Sequence, residues 1–244
     1  MNNFIIGLLL LNFYLNSNAQ TIKTVNIGKQ VWTIQNLSVN RFRNGDIIPL
    51  AKTAADWESA GNAKKPAWCY YESSAENGIK YGKLYNWYAV HDARGLAPVG
   101  YHIPSDAEWT VLTNYLGGDK IACNKMKSST GWESYNGEIS CNNCRDWTDE
   151  YRAGHICNIC KDSKKEEGFI SGNGSNKSGF VGLPGGARIG LAAFGFIGSD
   201  GHWWSSIDCD KNFAWGRYLV FNSNDVDREC TYKPYGLSVR CLRD

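Results

Sequence analysis

The stretch from Gly100 to Gly118, GYHIPSDAEWTVLTNYLGG, spells out one helix from start to stop. Ser105 is an N-cap residue, and Glu108 three positions on completes a capping box, so N–H groups that a first helical turn leaves unpaired find partners. Trp109, Leu112 and Leu116 then line one face, and Gly117-Gly118 ends the helix. On both sides of this segment the apolar residues come in short runs rich in Val, Ile, Trp, Tyr and Phe, set off by Gly, Asn and Asp. A helical middle between two β-forming ends makes the chain α+β, with a sheet expected to join its two ends.

The segment TVNIGKQVWTIQNL (24–37) reads as two strands around Gly28-Lys29. A polar, Ala-rich loop is expected from there to about residue 65, and PAWCYY (66–71) reads as a strand. In KYGKLYNWYAVHDARG (80–95), Tyr81, Leu84, Tyr85 and Tyr88 fall at i, i+3, i+4 and i+7, which predicts a second helix with Gly95 as its stop. Residues 133–178 turn polar, with mixed charge and few aliphatics, and read as an insertion that needs a staple. SGNGSNKSG (171–179) is loop, and GFVGLPGGARIG, HWWSS, FAWGRYLVFN and GLSVRCLRD read as short strands. With 244 residues, 43% hydrophobic and 13% aromatic, the chain can bury a sizeable core. The formal net charge of +2, without a useful basic run, gives no footprint for nucleic acid.

The first residues, MNNFIIGLLLLNFYLNSNAQ, carry an apolar run from Phe4 to about Leu15, then Ser17 and Ala19 at small-x-small spacing. This is a secretory signal pattern, with cleavage expected after Ala19. The alternative is an N-terminal membrane anchor, but the run is well short of the ~20 residues a span needs. No Cys follows the run to accept a lipid, and no second run is long enough to cross a membrane. The mature domain is therefore expected to span residues 20–244, exported to the cell surface, the extracellular space or the periplasm, where disulfides are allowed. Nine cysteines leave at least one thiol free, metal-bound or paired with another chain.

Cys141, Cys144, Cys157 and Cys160 form two C-x-x-C pairs with twelve residues between them. Each pair can place two thiolates on one tetrahedral Zn²⁺, and the second pair closes a four-cysteine site. In an oxidising compartment the same thiols could form two disulfides, most naturally between the pairs. A redox role lacks the βαβ context that accompanies a lone C-x-x-C. Zinc and disulfides both make the stretch structural, since four protein ligands leave no open position for chemistry. His155 could replace one thiolate, and Trp147 could cover the site.

No nucleophile–base set stands out. The four histidines, 91, 102, 155 and 202, sit in no G-x-S-x-G or H-E-x-x-H context. LPGGAR lacks the Lys-Ser/Thr of a phosphate loop, and Glu108 is accounted for by its capping box. Asp200, Asp208, Asp210, Asn222, Asn224, Asp225 and Asp227 offer hard oxygens suited to Ca²⁺, although turn formation explains them equally well.

The series IGKQVWTIQNLSVNRFRNGD, PAWCYYESSAENGIKYGKLYNWYAVHDARGLAPVGYHIPSDAEW, SGFVGLPGGARI, HWWSS, AWGRYL and GLSVRCLRD closely resembles the Fibrobacter succinogenes major paralogous domain family, from about Val25 to Asp244. The resemblance implies an exported bacterial protein whose biochemical role the family leaves unassigned. It also implies a C-type-lectin-like single domain, here with short twisted antiparallel strands, two helices and the Cys-rich insertion. HIPSDAEW is similar to the helix start of the formylglycine-generating enzymes, and GLSVRC to their closing strand. The cysteine pair and copper pattern of those enzymes do not map onto cysteines here, so a non-catalytic role is expected. A lectin-like domain binds at its C-terminal loops, which makes Trp203, Trp204, Trp215 and Tyr218 candidates for stacking on a sugar, set against the reading that most such rings are core. The expected partner is a polysaccharide or a surface protein, the latter within an outer-membrane or extracellular assembly. Cys69 and Cys241 lie in family motifs on strands that could pair, so a Cys69–Cys241 bridge is one option. Cys209 and Cys230 flank the FAWGRYLVFN strand and are the better candidates for a local bridge, which leaves Cys123 as the free thiol.

Overall fold

In a computed structural model, residues 22–138, 167–190 and 193–244 are described. The first hairpin forms over Gly28, whose φ of +62° suits glycine. It joins β1 (Thr24–Ile27) to β2 (Gln30–Thr33) in antiparallel register, Thr24 opposite Thr33. α1 (Ala54–Asn62) occupies part of the expected loop. Its start is a capping box of Thr53 and Asp56, but it buries only Trp57 and Gly61, too little periodicity to be read from sequence.

β3 (Trp68–Cys69) and a 3₁₀ turn (Tyr71–Ser73) lead into α2 (Ala75–Tyr81), β4 (Leu84–Tyr85) and α3 (Trp87–Val90). The single helix expected over 80–95 is thus three pieces. Gly82 ends α2 at φ +81°, where a Cβ would lie 2.9 Å from the Asn36 Cβ. Asn86 caps α3, accepting from the Ala89 N–H at 3.1 Å. Tyr81, Leu84 and Tyr85 are buried as the periodicity implies, but from separate elements.

β5 (Tyr101–His102) precedes α4 (Asp106–Tyr115), which starts at the Ser105–Glu108 capping box. Trp109, Leu112 and Leu116 are buried. α5 (Asp119–Met126) follows directly after Gly118. The described residues hold five helices rather than the two expected.

β6 (Ser134–Glu138) and β7 (Glu167–Ser171) pair antiparallel and bracket the rest of the expected insertion. Cys141, Cys144, Cys157, Cys160, Trp147 and His155 lie outside the described residues, as does the segment 1–19.

Five further strands form β8 (Gly185–Ile189), β9 (Ala193–Ile197), β10 (Asp200–Asp208), β11 (Phe213–Val220) and β12 (Val226–Tyr232), in the spatial order β12-β11-β10-β8-β9. Only the β8–β10 contact is parallel, through Gly186 and Gly201. β13 (Leu242–Arg243) lies between β2 and β5, with Leu242 opposite both Trp32 and His102. The sheet β1-β2-β13-β5 therefore joins the two ends of the described chain, as expected.

β10 separates two apolar clusters because successive side chains of a strand point to opposite faces. Trp203 packs with Trp32, Trp109, Leu112, Phe180 and Leu219, whereas Trp204 packs with Trp68, Tyr85, Trp87, Leu237 and Val239. Each large ring removed from water contributes on the order of 2–3 kcal/mol.

Arg240, wholly buried, ties these parts together. Its guanidinium donates to Asn36 Oδ1 at 2.7 Å, to the Thr33 and Phe180 carbonyls at 2.7 Å each, and to the Val181 carbonyl at 2.8 Å. It also lies 4.4 Å from the Phe180 ring centre. Val181 has a φ of +53°, a costly conformation for a β-branched residue. Arg240 and the Asn36–Trp203 bond at 2.8 Å hold this corner closed.

Candidate binding site on the curled sheet

Register brings three side chains into one row. His202 on β10 lies opposite Tyr218 on β11, and Tyr218 lies opposite Asp227 on β12. The His202 and Tyr218 rings stack at 4.2 Å and 25°. Gly216 makes this possible, because a Cβ there would sit 3.0 Å from the Tyr218 ring and 3.2 Å from the Thr231 hydroxyl. The Tyr218 hydroxyl hydrogen-bonds Thr231 across the bare glycine, and burial pushes the phenol up to about 12.

On the other side, Phe196 of β9 places its ring 5.6 Å from His202. The β8–β9 ladder pairs Gly185 with Ile197 and Ala187 with Gly195, but skips Gly186 and Phe196 between them. Both skipped residues have positive φ, +62° and +71°. Gly186 must be glycine, since a Cβ would meet the Gly195 carbonyl at 2.4 Å.

Asp200 and Asp227 flank the row. Asp200 Oδ2 is 3.3 Å from His202 Nε2. Burial, and then the charges of Asp225, Glu229 and Asp200, raise the Asp227 carboxyl above its ordinary range. Three costs meet here. Phe196 leaves a large ring 46% exposed. It does so in a backbone conformation that bulky residues avoid. His202 is 95% buried, yet its Nδ1 has no hydrogen-bond partner among the described residues. Strain, an exposed ring and an unsatisfied buried group together single this row out as the candidate site.

The other residues singled out in the sequence fall as follows. Trp203 and Trp204 are fully buried, with their N–H groups given to Asn36 and to the Tyr85 carbonyl at 2.8 Å each. Neither offers a ring face, so the aromatic surface expected there is not theirs. Trp215 is half-buried, with the Arg228 guanidinium 3.3 Å from its ring centre. Arg228 and Arg217 both bind Asp106, at 2.9 and 2.7 Å. Of the calcium candidates, Asp210 accepts from the Asn212 and Phe213 N–H groups of a turn, Asp208 lies 3.5 Å from Lys233, and Asp225 pairs with Lys120 at 3.0 Å. Among the described residues no three His, Cys, Asp or Glu side chains converge as a metal site.

Cys209 and Cys230 form the expected disulfide, with Cα atoms 5.9 Å apart. Cys69 and Cys241 are not bridged; they and Cys123 are free, buried thiols. Cys69 packs in a cluster with Ala51, Trp57 and Leu84, and Cys241 packs in the Trp204 cluster. Burial pushes the thiols of Cys69 and Cys123 up to about 11 and that of Cys241 up to about 12, so all three are poor nucleophiles.

A second polar cluster escaped the sequence reading. His102 Nε2 is 2.9 Å from Glu108 Oε1, and its Nδ1 is 2.8 Å from Asp244 Oδ1. Glu108 meanwhile accepts from the Ser105 N–H and hydroxyl at 2.8 Å each. Burial works against a charged imidazole here, but Asp244 and Glu108 outweigh it, and the His102 pKa rises. The serine gives its proton to Glu108 and not to the histidine, so this is a clasp between β5, α4 and the segment after β13. A cleft of about 370 Å³ also lies between α1 and residues 49–52 and 65–67. Its walls are mostly Ala and Pro, and the one carboxylate, Asp56, is engaged in the α1 cap.

The class of protein is thus a mixed α/β domain, mostly strands, with five short helices and a curled sheet bearing a polar–aromatic row. The chain belongs to the family whose model is described as the Fibrobacter succinogenes major domain, matched over residues 25–243. That description names a domain and neither a reaction nor a ligand. No curated protein and no solved structure matches the chain.

Proposed function

We propose that this domain is an exported, non-catalytic binding module of C-type-lectin-like build that recognises a glycan or a similar surface polymer. One observation carries the reading: an exposed, strained Phe196 stands beside a buried histidine lacking one hydrogen bond, in a row that ends in carboxylates. A ring face for the apolar side of a sugar, with acceptors beside it for hydroxyls, is what glycan recognition needs. The lectin-like reading is supported by the terminal strands sharing one sheet. No nucleophile with an adjacent base accompanies the row, which favours binding over catalysis.

The test is a pull-down of the mature chain on a panel of insoluble polysaccharides and bacterial cell-wall material, with wild type beside Phe196→Gly. Saturable binding by wild type that the variant loses is the expected result. Binding unchanged in the variant moves the site off the row, and no binding to any polymer removes the glycan reading. The two C-x-x-C pairs are proposed to hold one structural zinc ion. Metal content near one zinc per chain, lost in Cys144→Ser, is expected; four oxidised cysteines in an intact mass with no metal would overturn it.

A further inference from the structure

β12 is the outer strand of the five-stranded sheet, and among the described residues no strand pairs with its far side. α5 packs against the strand around the buried Val226, and the exposed run 228–230 leaves unpaired backbone N–H and C=O groups outward at alternate positions. Proteins blunt such edges with proline, with bulges, or with charges that repel another strand. This edge has neither proline nor a register shift against β11. It has instead a one-sided charge pattern. Asp227 and Glu229 alternate onto one face, roughly 6.6–6.8 Å apart, and Asp225 sits in the bend just before the strand. Asp225 is paired with the exposed Lys120, whose charge also acts on Asp227. Arg228, between Asp227 and Glu229, turns to the opposite face, where Trp215 and Asp106 hold it. Burial first, and then the charges of Asp225 and Glu229, raise the Asp227 carboxyl, while Lys120 acts the other way.

We infer that β12 accepts an extended segment of a partner protein that adds a strand to the sheet and carries Lys or Arg at every second position. Backbone hydrogen bonds would supply the pairing, and the two-residue charge period would supply the selection. A second copy of this chain is a poor occupant, because pairing two β12 strands would bring two acidic rows onto one face. The inference shares Asp227 with the row of the polymer reading but not Phe196, which lies at the opposite edge of the sheet, so peptide binding should survive Phe196→Gly.

The experiment uses the whole mature protein and fluorescent nine-residue peptides, read by anisotropy. One peptide alternates Lys with Thr, one has the same composition with its lysines grouped together, and one alternates Glu with Thr. The alternating Lys peptide should bind at least about tenfold tighter than the grouped one, and the Glu peptide should not bind. Asp227→Asn with Glu229→Gln should weaken the alternating peptide about tenfold, with unchanged circular dichroism. N-methylation at alternate backbone positions should abolish binding in one of the two phases while leaving the peptide's charge intact. Equal binding of alternating and grouped peptides, or indifference to N-methylation in both phases, would reduce the edge to nonspecific attraction and overturn the inference. Absence of binding would show that the charges only blunt the edge, and would overturn it equally.

Discussion

Arg240 shows how one side chain can hold two ends of a chain. Its guanidinium meets only neutral acceptors, and burial pulls its pKa down to about 9. Arg240→Lys keeps a charge but cannot reach four acceptors from one nitrogen. The expected loss is about 3 kcal/mol or more, read by urea denaturation. Phe196 predicts the reverse. Phe196→Gly removes an exposed ring from a left-handed position, so stability should hold or rise by up to about 1 kcal/mol while polymer binding is lost. His102 sets a pH dependence. Its folded pKa is raised, so its contribution is complete below the ordinary histidine range and is lost as pH rises through the folded value. Glu108, lowered in the fold, contributes above the ordinary glutamate range and loses its contribution in acid. Between about pH 6 and 8 the melting temperature should therefore fall with rising pH in wild type, and the slope should flatten in His102→Gln.

At the scale of elements, the Cys209–Cys230 bridge ties the end of β10 to β12 across a separation of 21 residues. Replacing both cysteines by serine should cost roughly 3 kcal/mol in chemical denaturation, and reduction of wild type should reproduce most of it. This bridge was legible in the sequence because its cysteines flank one strand. α4 was legible because capping box, apolar face and terminal glycines agreed. α1 was not, since its single buried tryptophan gives no period, and the 80–95 segment misled because buried residues at helical spacing came from a helix end, a two-residue strand and a turn of helix. The site was half legible. Tyr218 was named for sugar and Asp200 and Asp227 for calcium, as separate groups. Only the register of β10, β11 and β12 puts them in one row, and register depends on partners far away in sequence. His202 carried a signal in the alternation Asp200-x-His202-x-Trp204. Phe196 carried none, because its exposure follows from a ladder irregularity.

For the whole molecule, the sheet that starts at Thr24 is completed by Leu242 and Arg243, and Arg240 and Asp244 fasten the same corner. Deleting residues 240–244 should therefore abolish cooperative unfolding, although the deletion removes little apolar area. A limited-proteolysis pattern as resistant as that of the full chain would contradict this. The same arrangement puts a clock on biosynthesis. The β1–β2 hairpin leaves the ribosome before the other described strands, and its neighbouring strand β13 is made some two hundred residues later. Until then the inner edge of the hairpin has no partner and Trp32 has no complete pocket. The domain closes only once β13 is delivered, which leaves a long interval in which the chain can be threaded, bound by a chaperone or cut.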